Sequence, residues 1–165
     1  MILGVTGHRV LQAQDAWQWV RTELARFISG LPRPLVALSS LAIGADQIFA
    51  ELVLAQQGRL EAIIPFPDYE RTFEKEQDLQ NYRRLRDASA AVMILEPSES
   101  DEAAYLRAGK LLVERSELLL AVWDGMPGHG KGGTSDIVKY AIVLHKPWIH
   151  FNPMTREISN GGEST

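Results

Sequence analysis

A glycine-rich loop between positions 125 and 133 is the part of the sequence best suited to bind an anion. Five of its nine residues are glycine, Lys131 lies among them, and Thr134 follows directly. Glycine lets backbone N–H groups approach a ligand closely and lysine adds positive charge, a combination typical of a loop that wraps a phosphate. Thr134 is also placed to cap the helix predicted after the loop. The residues of this loop that we expect to contact a ligand are Gly130, Lys131, Gly132, Gly133 and Thr134.

A second candidate is the turn after the first predicted strand, which holds Gly7, His8 and Arg9. Arg9 can pair with a phosphate or a carboxylate through its planar, permanently charged guanidinium. His8 can bind the ligand or transfer a proton near neutral pH. One glycine in such a turn can also serve backbone geometry alone. The case for this turn therefore depends on its position beside the other loops.

The third candidate follows the second predicted strand, at positions 39–46. Ser39 and Ser40 supply two hydroxyl groups, and Gly44 precedes a helix whose first turn holds Asp46. The N-terminus of a helix presents free N–H groups and a partial positive charge, which favour an anion. We expect all four of these residues to belong to the ligand site.

Two standard nucleotide motifs are excluded by the order of the residues. Lys131 is followed by Gly132, whereas a Walker motif requires serine or threonine after its lysine. Gly7 does not begin a G-x-G-x-x-G fingerprint, because His8, Arg9 and Val10 follow it. An ATPase or a standard NAD-binding protein is therefore disfavoured.

The remaining titratable residues near these loops leave the catalytic chemistry open. Asp124 can accept a hydrogen bond from a ribose hydroxyl or cap the glycine-rich loop, and Asp136 can complement the dipole of the next helix. His129 can bind the ligand or transfer a proton. No histidine and carboxylate residues have metal-ligand spacing, and cysteine is absent. We predict no metal site, no required cofactor apart from a possible nucleotide-derived ligand, and no assigned catalytic residue.

The elements that must position these loops alternate between short apolar runs and segments of helical period, which predicts a mostly parallel sheet. The six predicted strands are residues 2–6, 35–39, 60–64, 91–95, 118–123 and 147–151. We predict one α/β domain, a Rossmann-like three-layer sandwich over residues 1–153, and a polar, disordered tail at 154–165. Parallel strands carry ligand loops at their carboxyl ends. The loops after the first, second and fifth strands are thus expected to converge on one cleft.

Composition limits the classes of partner. The chain has 165 residues, which suits one domain, and its net charge of −4 argues against a nucleic-acid partner. Basic residues between Arg71 and Arg86 are interleaved with acidic ones, which is typical of a solvated helix. No apolar run is long enough to cross a bilayer, and the N-terminus lacks the features of a signal sequence. The expectation is a cytoplasmic protein without a membrane partner.

The loops together resemble motifs of the SLOG superfamily. Residues 39–46 resemble the serine-glycine-leucine-alanine-x-glycine-x-aspartate motif of the DNA-processing protein of natural transformation, and Thr6–Arg9 is similar to the first-strand motif. Residues 122–125 with 132–138 resemble the second glycine-rich motif. The resemblance spans about residues 1–152 and implies a stand-alone, SLOG-like nucleotide-binding domain. It also implies a homo-oligomer, for which we expect a dimer; the apolar residues of the predicted helix that a partner could cover are Tyr105, Leu106, Leu111 and Leu112.

The Lonely-Guy phosphoribohydrolases of this superfamily carry a P-G-G-x-G-T-x-x-E motif, whose glutamate serves the hydrolysis of a glycosidic bond. Placing Gly133 and Thr134 on its glycine and threonine puts Ile137 at the glutamate position and Asp136 one residue early. We therefore expect binding of a nucleotide or nucleotide-derived ligand without efficient hydrolysis. The alternative is a nucleoside-monophosphate phosphoribohydrolase that uses Arg9 with Asp136 or Asp124. A DNA-handling module is the third and least favoured hypothesis.

Overall fold

The computed structural model describes residues 1–128 and 132–161, which form an α/β fold with one central sheet. The strands in chain order are β1 Ile2–Gly7, β2 Val36–Ser39, β3 Arg59–Ile64, β4 Ala91–Ile94, β5 Leu118–Val122, β6 Trp148–Asn152 and β7 Glu157–Gly161. The helices are α1 Gln14–Ser29, α2 Ala45–Ala55, α3 Glu76–Ala88, α4 Asp101–Arg115 and α5 Thr134–Val143, with a 3-10 turn at Tyr69–Thr72.

The sheet has the strand order β4-β3-β2-β1-β5-β6-β7, and its first six strands are parallel. From β1 the chain moves outward through β2, β3 and β4, then returns to the other side of β1 as β5. The order of the strands thus reverses between β1 and β5, where Gly7 pairs with Val122. A crevice opens beyond the carboxyl ends of strands at such a reversal, so the fold places a ligand site there.

The pleat of the strands divides the core into two halves, one on each side of the sheet. Ala62 and Ile64 pack in one apolar cluster with residues of α1 and α2, whereas Ile63 packs in the other with residues of α4 and α5. Successive side chains of a strand point to opposite faces, so both faces of the inner strands are buried. The predicted three-layer, Rossmann-like architecture is confirmed.

The number of strands differs from the expectation of about six. Residues Glu157–Gly161, predicted as part of a polar tail, form β7 and pair antiparallel with β6. A tight turn joins the two strands, in which Asn152 Oδ1 accepts hydrogen bonds from the N–H groups of Met154 and Thr155. Most of β7 is exposed, because it is an edge strand. It therefore lacks the apolar alternation by which strands are recognised in a sequence.

Across residues 1–128 and 132–161, no helix has both the length and the apolar character that a bilayer crossing requires.

Candidate functional site

The three candidate loops meet around one cavity of about 350 Å³ beyond the ends of β1 and β5. The residues predicted for the ligand site that line this cavity are Gly7, His8, Arg9, Ser40, Asp46, Asp124, Gly132, Gly133 and Thr134. Gly130 and Lys131 lie outside the described residues, as does His129. Parallel strand direction explains the convergence, since all three loops leave the sheet at the same edge.

Ser39 and Gly44, also predicted for the site, lie behind the cavity lining and hold the loops together. Ser39 is fully buried, and its hydroxyl accepts a hydrogen bond from the N–H of Leu41 at 3.0 Å. Gly44 has a φ of 82°, and a Cβ at this position would lie 2.5 Å from the carbonyl oxygen of His8. Only glycine permits this close approach, which packs the loop after β2 against the loop after β1.

Arg9 brings a positive charge to the cavity and is held there by an aromatic side chain. Its guanidinium carbon lies 4.7 Å from the centre of the Tyr105 ring, a cation–π contact. Tyr105 and the buried Tyr69 both line the cavity beside Arg9. Burial raises the pKa of Tyr69, so its hydroxyl stays protonated and can donate a hydrogen bond. Arg9 is therefore oriented before any ligand arrives.

Asp46 places a buried carboxyl group in the same cavity. The residue is only 8% exposed, and its Oδ2 accepts a weak hydrogen bond from the N–H of Ala42 at 3.4 Å. Burial raises the pKa of Asp46 to about 6, although the bond from Ala42 and the charge of Arg9 oppose the rise. A carboxyl group with this pKa can gain or lose a proton under mildly acidic conditions.

His8 and Asp124 face each other across the gap between β1 and β5. The backbone N–H of His8 donates to the carbonyl oxygen of Val122 at 3.0 Å, which ties the two strand ends together. Nε2 of His8 lies 3.2 Å from the backbone nitrogen of Asp124 and 3.3 Å from its Oδ1. The neutral ring can accept the backbone N–H, and the protonated ring can pair with the carboxylate. Oδ1 of Asp124 also accepts from the N–H of Met126 at 2.9 Å, so it caps the loop as well as lining the cavity.

The start of α5 differs from the prediction that Thr134 caps it. Gly133 is the N-cap, it has no side chain to bond the first turn, and Thr134 is the first helical residue. Oδ2 of Asp136 instead accepts a hydrogen bond from the N–H of Gly132 at 3.0 Å. Within the described part of the chain, the N–H groups of Gly133, Thr134 and Ser135 have no hydrogen-bond partner. These groups lie at the cavity and are suited to bind an anion.

Ile137 lines the cavity at the position that the Lonely-Guy resemblance aligns with a catalytic glutamate. It is 3% exposed and packs against α4, where a Cβ on Gly109 would lie 2.3 Å from it. Asp136 is absent from the described lining of the cavity, because its carboxylate bonds to the loop backbone. Asp124 and Asp46 are thus the carboxylates that the described residues bring to the cavity.

Sequence reasoning missed the contribution of α4 and of the aromatic residues. Tyr105, which we expected at an oligomer interface, lines the cavity together with Gly109 and Leu112. These residues are spaced i, i+4 and i+7, so they occupy one face of the helix. This helical spacing, together with the glycine, is the feature of the sequence that could have indicated a face of α4 directed at a ligand. Tyr69 and Trp123 also line the cavity, and Trp123 directly precedes Asp124.

Within residues 1–128 and 132–161, no three histidine, aspartate or glutamate side chains lie close enough together to hold a metal ion.

Comparison with solved structures identifies proteins of similar fold. It is similar to DNA processing protein A (DprA) from Streptococcus pneumoniae, with a TM-score of 0.64 and 15% identity over 90% of this chain and 49% of that one. It is similar to DprA from Helicobacter pylori, with a TM-score of 0.62 and 16% identity over 91% of this chain and 64% of that one. The molybdenum cofactor carrier protein of Chlamydomonas reinhardtii gives a TM-score of 0.56 and 17% identity over 90% of this chain and 74% of that one.

At these identities the likeness shows a shared fold. It confirms the fold implied by the SLOG resemblance, since DprA is the protein whose motif residues 39–46 resemble. The chain spans about half to two thirds of the length of the two DprA chains. No family model and no curated protein matches the sequence.

Proposed function

We propose that this chain binds a nucleotide or nucleotide-derived ligand in the cavity beyond β1 and β5. One observation carries the proposal: the N-terminus of α5 and the guanidinium of Arg9 face the same cavity. A phosphate placed between them receives backbone N–H groups from one side and a charged donor from the other. Lys131, predicted for the same loop, would add a second cation.

The rest of the cavity suits the other parts of a nucleotide. Its volume of about 350 Å³ is within the usual range for a small-molecule site. The carboxylate of Asp124 can accept hydrogen bonds from ribose hydroxyls. Tyr105 and Trp123 offer aromatic surface to a base, and Asp46 can accept a hydrogen bond from an amino group. We assign the phosphate end to α5 and Arg9, because the carboxylates would repel it.

The structural neighbours bind different ligands, so the function is argued from the site and not from the fold. DprA of Helicobacter pylori is described as binding single-stranded DNA, and the Chlamydomonas protein as carrying the molybdenum cofactor. In this chain the arginines around α3 are engaged in ion pairs. The pairs are Arg71 with Asp101, Arg83 with Glu70, Arg84 with Glu51 and Arg86 with Asp87. This pairing favours a small ligand over a nucleic-acid backbone.

A phosphoribohydrolase is the second candidate, and Asp46 is the observation that favours it. A carboxyl group with a pKa of about 6 can act as a general acid or base near neutral pH. Ile137 opposes this activity, because it fills the position that the family resemblance assigns to the catalytic glutamate. Binding without efficient hydrolysis therefore remains the first proposal.

The test is to denature the purified protein and identify any released small molecule by mass spectrometry. Calorimetry with adenosine monophosphate then compares the unmodified chain with Arg9→Ala and with Arg26→Ala, an exposed arginine on α1. We expect Arg9→Ala to weaken binding by about tenfold or more, the usual cost of losing one charged hydrogen bond, and Arg26→Ala to leave it unchanged. No released ligand together with no binding of any nucleoside phosphate would refute the proposal.

A further inference from the structure

A second cavity borders the loop that carries Arg9, between α1, α2 and the start of α3. Its volume is about 310 Å³, close to the volume of about 350 Å³ of the candidate site. Among the described residues, Arg9 is the one that the linings of the two cavities share. A ligand held by Arg9 in the candidate site therefore lies next to this second cavity.

The walls of the second cavity are fixed by polar contacts between α2 and α3. Gln47 lines the cavity and is only 6% exposed. Its Nε2 donates to the carbonyl oxygens of Leu41 at 3.2 Å and of Asp78 at 3.4 Å, and its Oε1 accepts from Nδ2 of Asn81 at 2.8 Å. The same amide of Asn81 donates to Oε1 of Glu51 at 3.0 Å. These bonds hold the two helices in place, so the cavity is formed before a ligand binds.

The charges around this cavity leave one lysine without a partner. Glu51 pairs with Arg21 at 2.7 Å and with Arg84 at 3.0 Å, so its negative charge is compensated. Each arginine around α3 has an ion pair, whereas Lys75 has none among the described residues. Lys75 is exposed, lines the cavity and occupies the N-cap position of α3 without a capping bond from its side chain. An unpaired ammonium group in the cavity that Arg9 borders suits a second anionic group of the ligand.

We propose that the ligand is a nucleotide with at least two linked phosphoryl groups, the first between α5 and Arg9 and the second between Arg9 and Lys75. The inference rests on the proposed function, because it extends the ligand from the same site. The guanidinium of Arg9 has five N–H donors, so it can bond to both phosphoryl groups at once. A nucleoside monophosphate would leave Lys75 without an anionic partner.

Asp78 is the group in this cavity that opposes a second phosphoryl group. Its side chain lines the cavity and has no ion pair among the described residues. Its position in the first turn of α3 is explained by the positive end of the helix dipole, which a carboxylate complements. Lys75 and Asp78 therefore offer two substitutions whose effects on a diphosphate have opposite sign.

Calorimetry of the full chain tests the inference by comparing each nucleoside monophosphate with its diphosphate, for adenine, guanine, cytosine and uracil. We expect the diphosphate of the preferred base to bind about tenfold more tightly, the usual contribution of one charged hydrogen bond. Lys75→Ala should remove most of this preference, and Asp78→Asn should increase it. The control is Lys139→Ala, because Lys139 is an exposed lysine of α5 that lines neither cavity, and this variant should keep the preference of the unmodified chain.

The possible results separate this inference from the proposed function. Equal affinities for the monophosphate and the diphosphate in the unmodified chain would overturn the inference alone. So would a preference for the diphosphate that survives Lys75→Ala, since the second phosphoryl group would then bind elsewhere. Absence of binding by all the monophosphates and diphosphates would overturn the proposed function, and the inference with it.

Discussion

The backbone N–H of Gly132 donates a hydrogen bond to Oδ2 of Asp136 at 3.0 Å, so the residue that follows the loop in sequence also closes it in space. Asp136 is the only acidic residue in the first turn of α5, and this hydrogen bond gives its carboxylate a structural role. It holds Gly132 in place, and Gly133 and Thr134 then present their N–H groups to the cavity.

Removing this bond should loosen the loop. We expect Asp136→Ala to lower the free energy of unfolding by about 1–2 kcal/mol, the usual cost of a lost capping bond. Affinity for phosphate should fall as well, because the loop must be ordered when the ligand binds. Urea denaturation and calorimetry measure the two effects. Asp136→Asn, which keeps an acceptor oxygen, should recover most of the stability, and an equal loss in both variants would contradict this account.

Two adjacent glycines should respond differently to substitution. A Cβ on Gly132 would lie 2.7 Å from the carbonyl oxygen of Glu102, whereas a Cβ on Gly133 would meet no described atom within 4 Å. Gly132→Ala should therefore lower Tm. Gly133→Val should lower Tm only slightly, because valine is a poorer N-cap than glycine, yet it should reduce phosphate binding at least tenfold, because its side chain would stand beside the N–H groups that bind the anion. Unchanged binding in Gly133→Val would remove the anion site from this loop.

Asp46 should make the stability of the protein depend on pH. Its pKa rises from 3.8 to about 6 in the folded chain, so the folded chain holds this proton more tightly than the unfolded chain does. The contribution is fully present below about pH 4 and is lost as the pH rises through about 6. The loss should be on the order of 2 kcal/mol, somewhat less than the shift alone implies.

Urea denaturation at intervals from pH 4 to pH 8 measures this dependence. The neighbours of Asp46 are Arg9, which stays charged, Tyr69, which stays neutral, and the hydroxyl of Ser39. None of them titrates in this range, so Asp46→Asn should flatten that part of the profile. If the variant and the unmodified chain have the same profile, Asp46 is not the titrating group.

Catalysis should be weak or absent. Hydrolysis of a glycosidic bond needs a carboxylate near the ribose to stabilise positive charge and activate water, and Ile137 can do neither. We expect little or no free base from adenosine monophosphate in a chromatographic assay at saturating ligand, with binding intact. An Ile137→Glu variant assayed in parallel shows whether a carboxylate at this position suffices. Robust turnover by the unmodified chain would refute the proposal that it binds the ligand without hydrolysing it. Loss of that turnover in Asp124→Asn or Asp46→Asn would identify the carboxylate responsible.

Local sequence patterns were sufficient for the architecture and for the edge of the sheet that carries the site. The alternation of apolar runs with helical periods predicted the parallel sheet, because both periods follow from backbone geometry. The glycines after the first, second and fifth strands then had to share one edge, since parallel strands all end on the same side. This reasoning placed Arg9, Asp46 and Asp124 near one another before any packing was known.

Tertiary structure alone decided which side chains enter the cavity and what their surroundings do to them. The pKa of Asp46 depends on burial among Tyr69, Arg9 and the loop after β2, which come from distant parts of the chain. The spacing of Tyr105 with Gly109 and Leu112 marks one face of α4, but only the packed structure shows that this face lines the cavity and that Tyr105 contacts Arg9. β7 was not predicted, because an exposed edge strand is held by hydrogen bonds to its partner strand and need not carry an apolar pattern. The periodicity of the sequence determines which helices and strands form. The burial of a side chain, its charge state and its contacts depend on how those elements pack together, which local sequence patterns do not specify.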